Sequence, residues 1–139
     1  MKRIILVMSI LAGTLMVGCA DTSDIAEGED FESLSGEEVR KLITGNTLRG
    51  NFRANPLIIV FHKDGRTTGR VGFRGAGRGQ WSIEKDIYCH RWSTYFGGTR
   101  RCYQWYRRPD NVYYLDNVDT FRFRGPLLGS IEPGVAPGF

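Results

Sequence analysis

The chain has few of the residues and motifs on which enzymes commonly depend. Its two histidines, His62 and His90, lack the H-x-x-x-H and H-E-x-x-H spacings that hold a metal on one helix face. No G-x-S-x-G motif marks a nucleophile elbow, and the glycine-rich residues 75–79 lack the Lys-Ser/Thr of a phosphate-binding loop. The seven acids after residue 39 lie mostly in predicted turns and form no evident glycosidase pair. We therefore expect no metal, no cofactor and no enzymatic activity, with a hydrolase of unrecognised site as an alternative.

Long apolar runs are equally scarce, and the longest one lies at the N-terminus. Two basic residues, Lys2 and Arg3, precede an apolar run of 14 residues at positions 4–17. This run is shorter than the roughly 20 residues of a spanning helix, and Gly18 and Cys19 follow it. A basic start, a short apolar run and a small residue before a cleavage point are typical of an export signal. The segment resembles the lipobox of bacterial lipoproteins, although Met16 stands where leucine is usual.

The resemblance to a lipobox implies how the protein is processed and where in the cell it is located. Residues 1–18 would be removed, and Cys19 would carry the lipid, whose acyl chains each contribute about 0.8 kcal/mol per buried CH₂. By resemblance to the lipoprotein sorting pattern, Ala20 in place of Asp indicates the outer membrane, facing the periplasm. The alternative is an ordinary cleaved signal followed by an incidental cysteine.

The chain has only three cysteines. An odd number leaves one cysteine without a disulfide partner, which needs an explanation in an exported protein. A lipid on Cys19 leaves Cys89 and Cys102 as a pair, and an exported compartment permits a disulfide between them. The spacing contains no C-x-x-C, which disfavours a redox enzyme. If Cys89 faces Cys102 across a hairpin, counting places Arg91 opposite Arg100, and His90 opposite Arg101.

Charge is divided unevenly along the chain. Residues 19–39 hold eight acids and no base, whereas residues 40–139 hold 17 bases, 14 of them arginine, and seven acids. We interpret residues 19–33 as an acidic flexible tether between the lipid and a domain at residues 34–139. The tether is either a solvated spacer or a segment that folds back onto the basic domain and competes with an anionic partner.

The domain sequence predicts one short helix followed by strands. Ser35 and Glu38 match a capping box and Gly45 a C-terminal stop, which predicts a helix at residues 36–44. Alternating patterns and turn residues predict strands at 47–53, 57–63, 67–74, 79–84, 87–93, 100–107, 112–115 and 120–124. The expected fold is all-β, a small antiparallel meander barrel of about eight strands preceded by one short α-helix.

Two further expectations concern the ends of the domain. The Pro- and Gly-rich tail from residue 126 should be extended rather than regular. The strand at 57–61 is apolar on both faces, so the helix or the tail should cover its outer side.

Four segments resemble a known group of proteins. They are residues 34–47, 61–65 (Phe-His-Lys-Asp-Gly), 79–83 (Gly-Gln-Trp-Ser-Ile) and the strand of Cys89. Together they look like a family of small exported bacterial lipoproteins with a lipocalin-like (calycin-like) β-barrel of unknown function. The resemblance covers most of residues 34–105 and implies the barrel fold, but no activity or site residue.

Arginines supply the candidate binding residues. One group lies on the cysteine hairpin. A second group alternates along the strand predicted near residues 67–74, with Val71 and Phe73 expected on the opposite face. The hairpin arginines either extend into solvent at the barrel rim, pair with acids such as Asp116 or Asp119, or hold an anion through forked hydrogen bonds. The second group is either the ordinary polar outer face of a barrel or a further set of anion-binding residues. The candidates are Arg91, Arg100, Arg101, Arg66, Arg70 and Arg74.

The function that these observations favour is binding. Tryptophans and tyrosines interleaved with arginine suit a nucleic-acid surface, but an envelope address makes a barrel core the better interpretation, and we expect no nucleic-acid partner. We expect a non-catalytic envelope protein, held on the membrane by its lipid, whose basic barrel binds an anionic envelope component or a protein partner. A carrier of a small apolar ligand inside the barrel is the other alternative.

Overall fold

The structure, a computed structural model, describes residues 30–119 and 127–139 as an all-β fold with one short helix. The predicted signal at residues 1–18, Cys19, most of the tether and the strand predicted at 120–124 lie outside the described residues. The described elements are β1 (Glu32–Ser33), α1 (Gly36–Ile43), β2 (Thr47–Phe52), β3 (Asn55–Phe61), β4 (Arg66–Val71), β5 (Gly77–Glu84), β6 (Ile87–Trp92), a 3₁₀ turn (Phe96–Gly98), β7 (Arg100–Arg107), β8 (Tyr113–Asn117) and β9 (Leu127–Glu132).

Eight strands, β2 to β9, form a closed antiparallel barrel, which confirms the predicted fold class. The order around the barrel is β7-β6-β5-β4-β3-β2-β9-β8, and pairing of β8 with β7 closes it. The short strand β1 pairs with the last residues of β7. We call the end with α1 and the β3–β4, β5–β6 and β7–β8 connections the helix end, and the opposite end the distal end.

The last barrel strand is not where the sequence predicts it. An irregular tail was expected from residue 126, but Leu127–Glu132 form β9, which pairs with β2 on one side and β8 on the other. Ring closure explains the difference, because without β9 the edges of β2 and β8 would be left without partners. Gly129 also fits this position, since a Cβ there would overlap the backbone of β2.

Helix α1 covers the helix end of the barrel. The Ser35 hydroxyl accepts from the backbone N–H of Glu38, and the Glu38 carboxylate accepts from the N–H of Ser35, so the predicted capping box is confirmed. Val39 and Ile43 are fully buried in the core. The N–H of Gly36 donates to Oδ1 of Asp86 in the β5–β6 turn at 2.8 Å, which fixes the helix on the barrel rim.

The C-terminal tail covers the outer side of β3. Thr47, the cross-strand partner of Val60, donates its hydroxyl to the carbonyl of Gly134 at 2.7 Å and accepts from the N–H of Ala136 at 3.1 Å. Val60 and Ala136 are both buried. The tail, rather than the helix, therefore shields the outward apolar side chains of this strand.

Aromatic side chains fill the barrel interior. Phe61 packs edge-on against Tyr88 at a centroid distance of 5.9 Å and against Trp105 at 6.3 Å. Nearer the distal end, Trp92 lies against Tyr95 at 5.5 Å. This packing depends on Gly77, because a Cβ there would overlap the Tyr95 ring.

Candidate functional site

Four polar side chains form one row across the outer face of the barrel. The strand registers pair Arg66 with Gln80, Gln80 with Arg91, and Arg91 with Arg100. All four residues are exposed, and they alternate along their strands with inward neighbours such as Trp81 and Trp92. Three arginines therefore lie along one line over β4 to β7, although they come from three separate strands.

Two arginines of the row are ion-paired. Arg66 contacts Asp64 at 2.6 Å, and Arg100 contacts Glu84 at 2.5 Å. The partner of Arg100 differs from the acids expected from the sequence, since the Asp119 carboxylate accepts instead from the N–H of Cys102 at 2.5 Å. Arg91 makes no ion pair with any residue that the structure describes.

A shallow open groove lies beside the row. Its volume is about 340 Å³, and Arg66, Arg78 and Arg91 line it together with Gln80 and Ser93. Arg78 is exposed and forms no ion pair within the described part of the chain. The sequence prediction missed Arg78 because it began this strand at Gly79, whereas β5 begins at Gly77 and places Arg78 on the same face as Gln80.

The second predicted row of arginines is only partly formed. Arg66, Thr68 and Arg70 alternate on the outer face of β4 as expected, and Arg70 lies over the ring of Phe139. The strand ends at Val71, because Gly72 adopts a positive φ of 57° and starts a turn. Arg74 therefore belongs to the turn and not to the strand.

Phe73 was expected to face the opposite side of that strand, and this is wrong. Because it follows Gly72 in the turn, its side chain is fully exposed rather than packed inside the barrel.

Arg101 does not belong to the outer face. Alternation along β7 places Arg100 outside and Arg101 inside, where it is 9% exposed and lies opposite His90. Its guanidinium lies over the ring of Phe96 at 4.1 Å. Inclusion of Arg101 among the anion-binding candidates is therefore wrong for an outer site.

His90 is a buried histidine beside two tyrosines. Its Nδ1 lies 3.1 Å from the Tyr88 hydroxyl, and its ring lies 5.2 Å from that of Tyr103. Burial lowers the pKa of His90 to about 3, and the positive charge of Arg101 acts in the same direction. Burial also raises the pKa of both tyrosines. His90 is therefore neutral at pH 7 and lies away from solvent.

The predicted disulfide hairpin is confirmed. Cys89 and Cys102 are directly opposed and their Sγ atoms are bonded. The pairs Arg91 with Arg100 and His90 with Arg101 follow in the expected register. Both half-cystines are nearly fully buried. The cystine lies on the same outward face as Arg91 and Arg100, at the next outward cross-strand pair, so the disulfide holds β6 and β7 together beside the row.

One small cavity lies inside the barrel among the described residues. A cavity of about 20 Å³ lies among side chains that include Ile59, His90 and Trp92. A volume of that size holds about one water molecule. A small apolar ligand is too large for this cavity unless the aromatic side chains that line it move.

Comparisons with known proteins identify no relative: no family model, curated protein or solved structure matches the chain.

The described residues were also compared with the patterns of metal sites and of membrane-spanning helices. Within residues 30–119 and 127–139, no three His, Cys, Asp or Glu side chains group as metal ligands. None of the helices in these residues has the length and apolar character needed to cross a membrane.

Proposed function

We propose that this protein is a non-catalytic, lipid-anchored envelope protein whose basic outer face binds an anionic envelope polymer. Its lipid on Cys19 and its acidic tether would hold the barrel near the outer membrane, as in the family of small exported lipoproteins that the sequence resembles. The observation that carries the proposal is the row of Arg66, Gln80, Arg91 and Arg100 in register across four strands.

The chemistry of the row supports binding of anions. Arginines directly opposite each other in a sheet repel, so the pair of Arg91 and Arg100 is unfavourable unless negative charge lies nearby. Glu84 supplies such charge to Arg100. Arg78 and Arg91 keep guanidinium donors available to a phosphate or carboxylate, which they bind in a fork.

The shape of the site favours an extended polyanion over a small enclosed ligand. Four neighbouring strands span three spacings of about 4.8 Å, so the row is roughly 14 Å long. The groove beside it is shallow and open. Successive charged groups of a polymer can contact several arginines along this line, whereas a single small anion would remain mostly in solvent.

Binding of two defined polyanions tests the proposal. The probes are polyphosphate and polygalacturonate, which present phosphate and carboxylate groups, and the protein is the full chain in mild detergent. The double variant Arg78→Gln with Arg91→Gln should bind at least tenfold more weakly, and binding should weaken further with added salt.

A matched control separates the site from overall charge. Arg49→Gln with Arg107→Gln removes the same number of charges from half-buried arginines that pair with Glu132 and Glu32. This control should keep most of the affinity. Equal loss in both double variants would show that net charge alone drives binding, and failure of the parent protein to bind either polymer would refute the proposal.

A further inference from the structure

The connection between β4 and β5, residues 72–76, holds the most exposed large apolar side chain that the structure describes. Phe73 is as exposed as in an extended peptide, at 106%. Other aromatic side chains near the distal end, such as Tyr95 and Phe96, are buried or half-buried. Single exposed apolar side chains are common on protein surfaces, so exposure alone assigns Phe73 no role, and the residues around it decide what it can do.

The turn that carries Phe73 is fastened to the barrel on both sides. The N–H of Gly72 donates to the carbonyl of Pro56 on β3 at 2.7 Å. The Tyr95 hydroxyl donates to the carbonyl of Gly75. These bonds hold the turn away from the barrel core and present Phe73 outward in a fixed geometry, which reduces the ordering that binding requires.

Two arginines lie in the turns at this part of the distal end. Arg74 is exposed in the same turn as Phe73. Arg53, whose guanidinium lies over the Phe52 ring, belongs to the β2–β3 turn, and the nearby Asn55 approaches Gly72. The described parts of the distal connections contain a single acid, Asp119. Its carboxylate accepts from the N–H of Cys102.

We propose that this turn docks the distal end on an anionic lipid surface, with Phe73 among the acyl chains and Arg74 at the headgroup phosphates. One projecting aromatic ring with adjacent arginines matches a soft interface that is apolar inside and negatively charged outside. A stable protein interface needs about 1,000 Å² of complementary surface, and no broad apolar patch surrounds Phe73 among the described residues.

The length of the tether allows contact with the membrane that holds the proposed lipid anchor. The barrel is at most about 26 Å long, because its longest strands, β5 and β7, have eight residues and are tilted to the barrel axis. If fully extended, residues 19–31 before β1 would reach roughly 43 Å. The chain enters at the helix end, and this reach exceeds the barrel length, so the distal end can turn back to the same bilayer.

Quenching by brominated lipids tests the insertion directly. Phe73→Trp places a fluorophore in the turn, and the signal of the unsubstituted chain corrects for the three native tryptophans. The full chain is mixed with vesicles of phosphatidylcholine, either pure or with phosphatidylglycerol, that contain brominated acyl chains. The added fluorophore should shift to shorter wavelength and be quenched by the anionic vesicles, with little change on neutral ones.

A control variant accounts for attachment through the N-terminus. Val135→Trp places the same fluorophore on a residue that is 49% exposed in the C-terminal tail, beyond the helix end of β9. It should remain unquenched on both vesicles. Equal quenching of the two variants, or no quenching of Phe73→Trp on anionic vesicles, would overturn the proposal, and the second result would leave the turn to a protein partner or to none.

Charge variants separate the turn from the groove. Arg74→Gln in the Phe73→Trp background should lower partitioning onto anionic vesicles by about fivefold, as expected for one cation near a charged bilayer. Arg78→Gln with Arg91→Gln in the same background should weaken polymer binding, and the quenching of the Phe73→Trp fluorophore should stay unchanged. If loss of the groove arginines abolishes quenching and Arg74→Gln has no effect, the lipid surface is bound by the groove and not by the turn.

Discussion

Acidification should destabilise this protein through His90. The buried imidazole has a folded-state pKa of about 3, against an ordinary value of 6.5. The unfolded chain therefore binds a proton between these two values that the folded chain does not, and stability falls as the pH drops through this window. Among the described residues, the titratable groups that face His90 are Tyr88, Tyr103 and Arg101, and none of these three supplies a negative charge to a protonated ring at acidic pH.

The size of the effect follows from the two pKa values. At pH 5 the difference in proton binding corresponds to about 2 kcal/mol of lost stability relative to pH 7.5, and to about 3 kcal/mol at pH 4. Such a loss is a large share of the roughly 5–15 kcal/mol that is typical of domains. The exposed carboxylates of Glu37, Glu38 and Asp64 also have lowered pKa values, so they add a smaller loss at more acidic pH.

Urea unfolding followed by tryptophan fluorescence at pH 7.5, 5 and 4 measures this loss. His90→Gln keeps a hydrogen-bonding side chain beside Tyr88 but does not titrate, and the exposed carboxylates are common to both proteins. The parent should lose about 2 kcal/mol more than the variant between pH 7.5 and pH 5. Parallel pH profiles for the two proteins would refute the assignment of His90 as a buried neutral base.

Two further predictions concern packing and the disulfide. Gly77→Ala should lower the free energy of unfolding by about 1–3 kcal/mol, because a Cβ there overlaps the Tyr95 ring. Gly75→Ala, where a Cβ meets nothing within 4 Å, should cost much less in the same urea titration, and equal costs would contradict the packing of Tyr95 over Gly77. Cys89→Ala with Cys102→Ala should remove about 3 kcal/mol, as expected for opening a loop of this length. Thermal unfolding with and without reductant tests the pair: the parent should be destabilised by the reductant, and the double variant should be insensitive to it.

The sequence correctly predicted the structural elements that are determined by residues close together in the chain. The capping box of Ser35 and Glu38 needs residues three apart, and the structure contains it. The hairpin register followed from one assumption, the Cys89–Cys102 pair, because a single cross-strand pair fixes all others in an antiparallel hairpin. The same register predicted that Arg91 lies opposite Arg100, and the two residues are cross-strand partners in the barrel.

The errors arose where distant parts of the chain decide the outcome. Leu127–Glu132 contains a glycine and follows a proline, so the local pattern favours an irregular tail, but β2 needs a partner to close the ring. Arg78 was missed because the start of β5 depends on pairing of Gly77 with Gly69. Phe73 was expected on a strand face because its alternation with Val71 continues in the sequence, although Gly72 turns the backbone before that residue.

The sequence alone therefore determined the helix, seven of the barrel strands, the cystine hairpin and the excess of arginine in residues 40–139. These features depend on capping, alternation and turn residues, which act over short distances along the chain. Only the tertiary structure decided how the barrel closes, what fills its interior and which arginines share a surface. Successive hairpins place β4, β5, β6 and β7 side by side, and their combined registers align Arg66, Gln80, Arg91 and Arg100 in one row. Such a line across separate strands depends on the register of every hairpin between them, and no local pattern specifies all of these registers together.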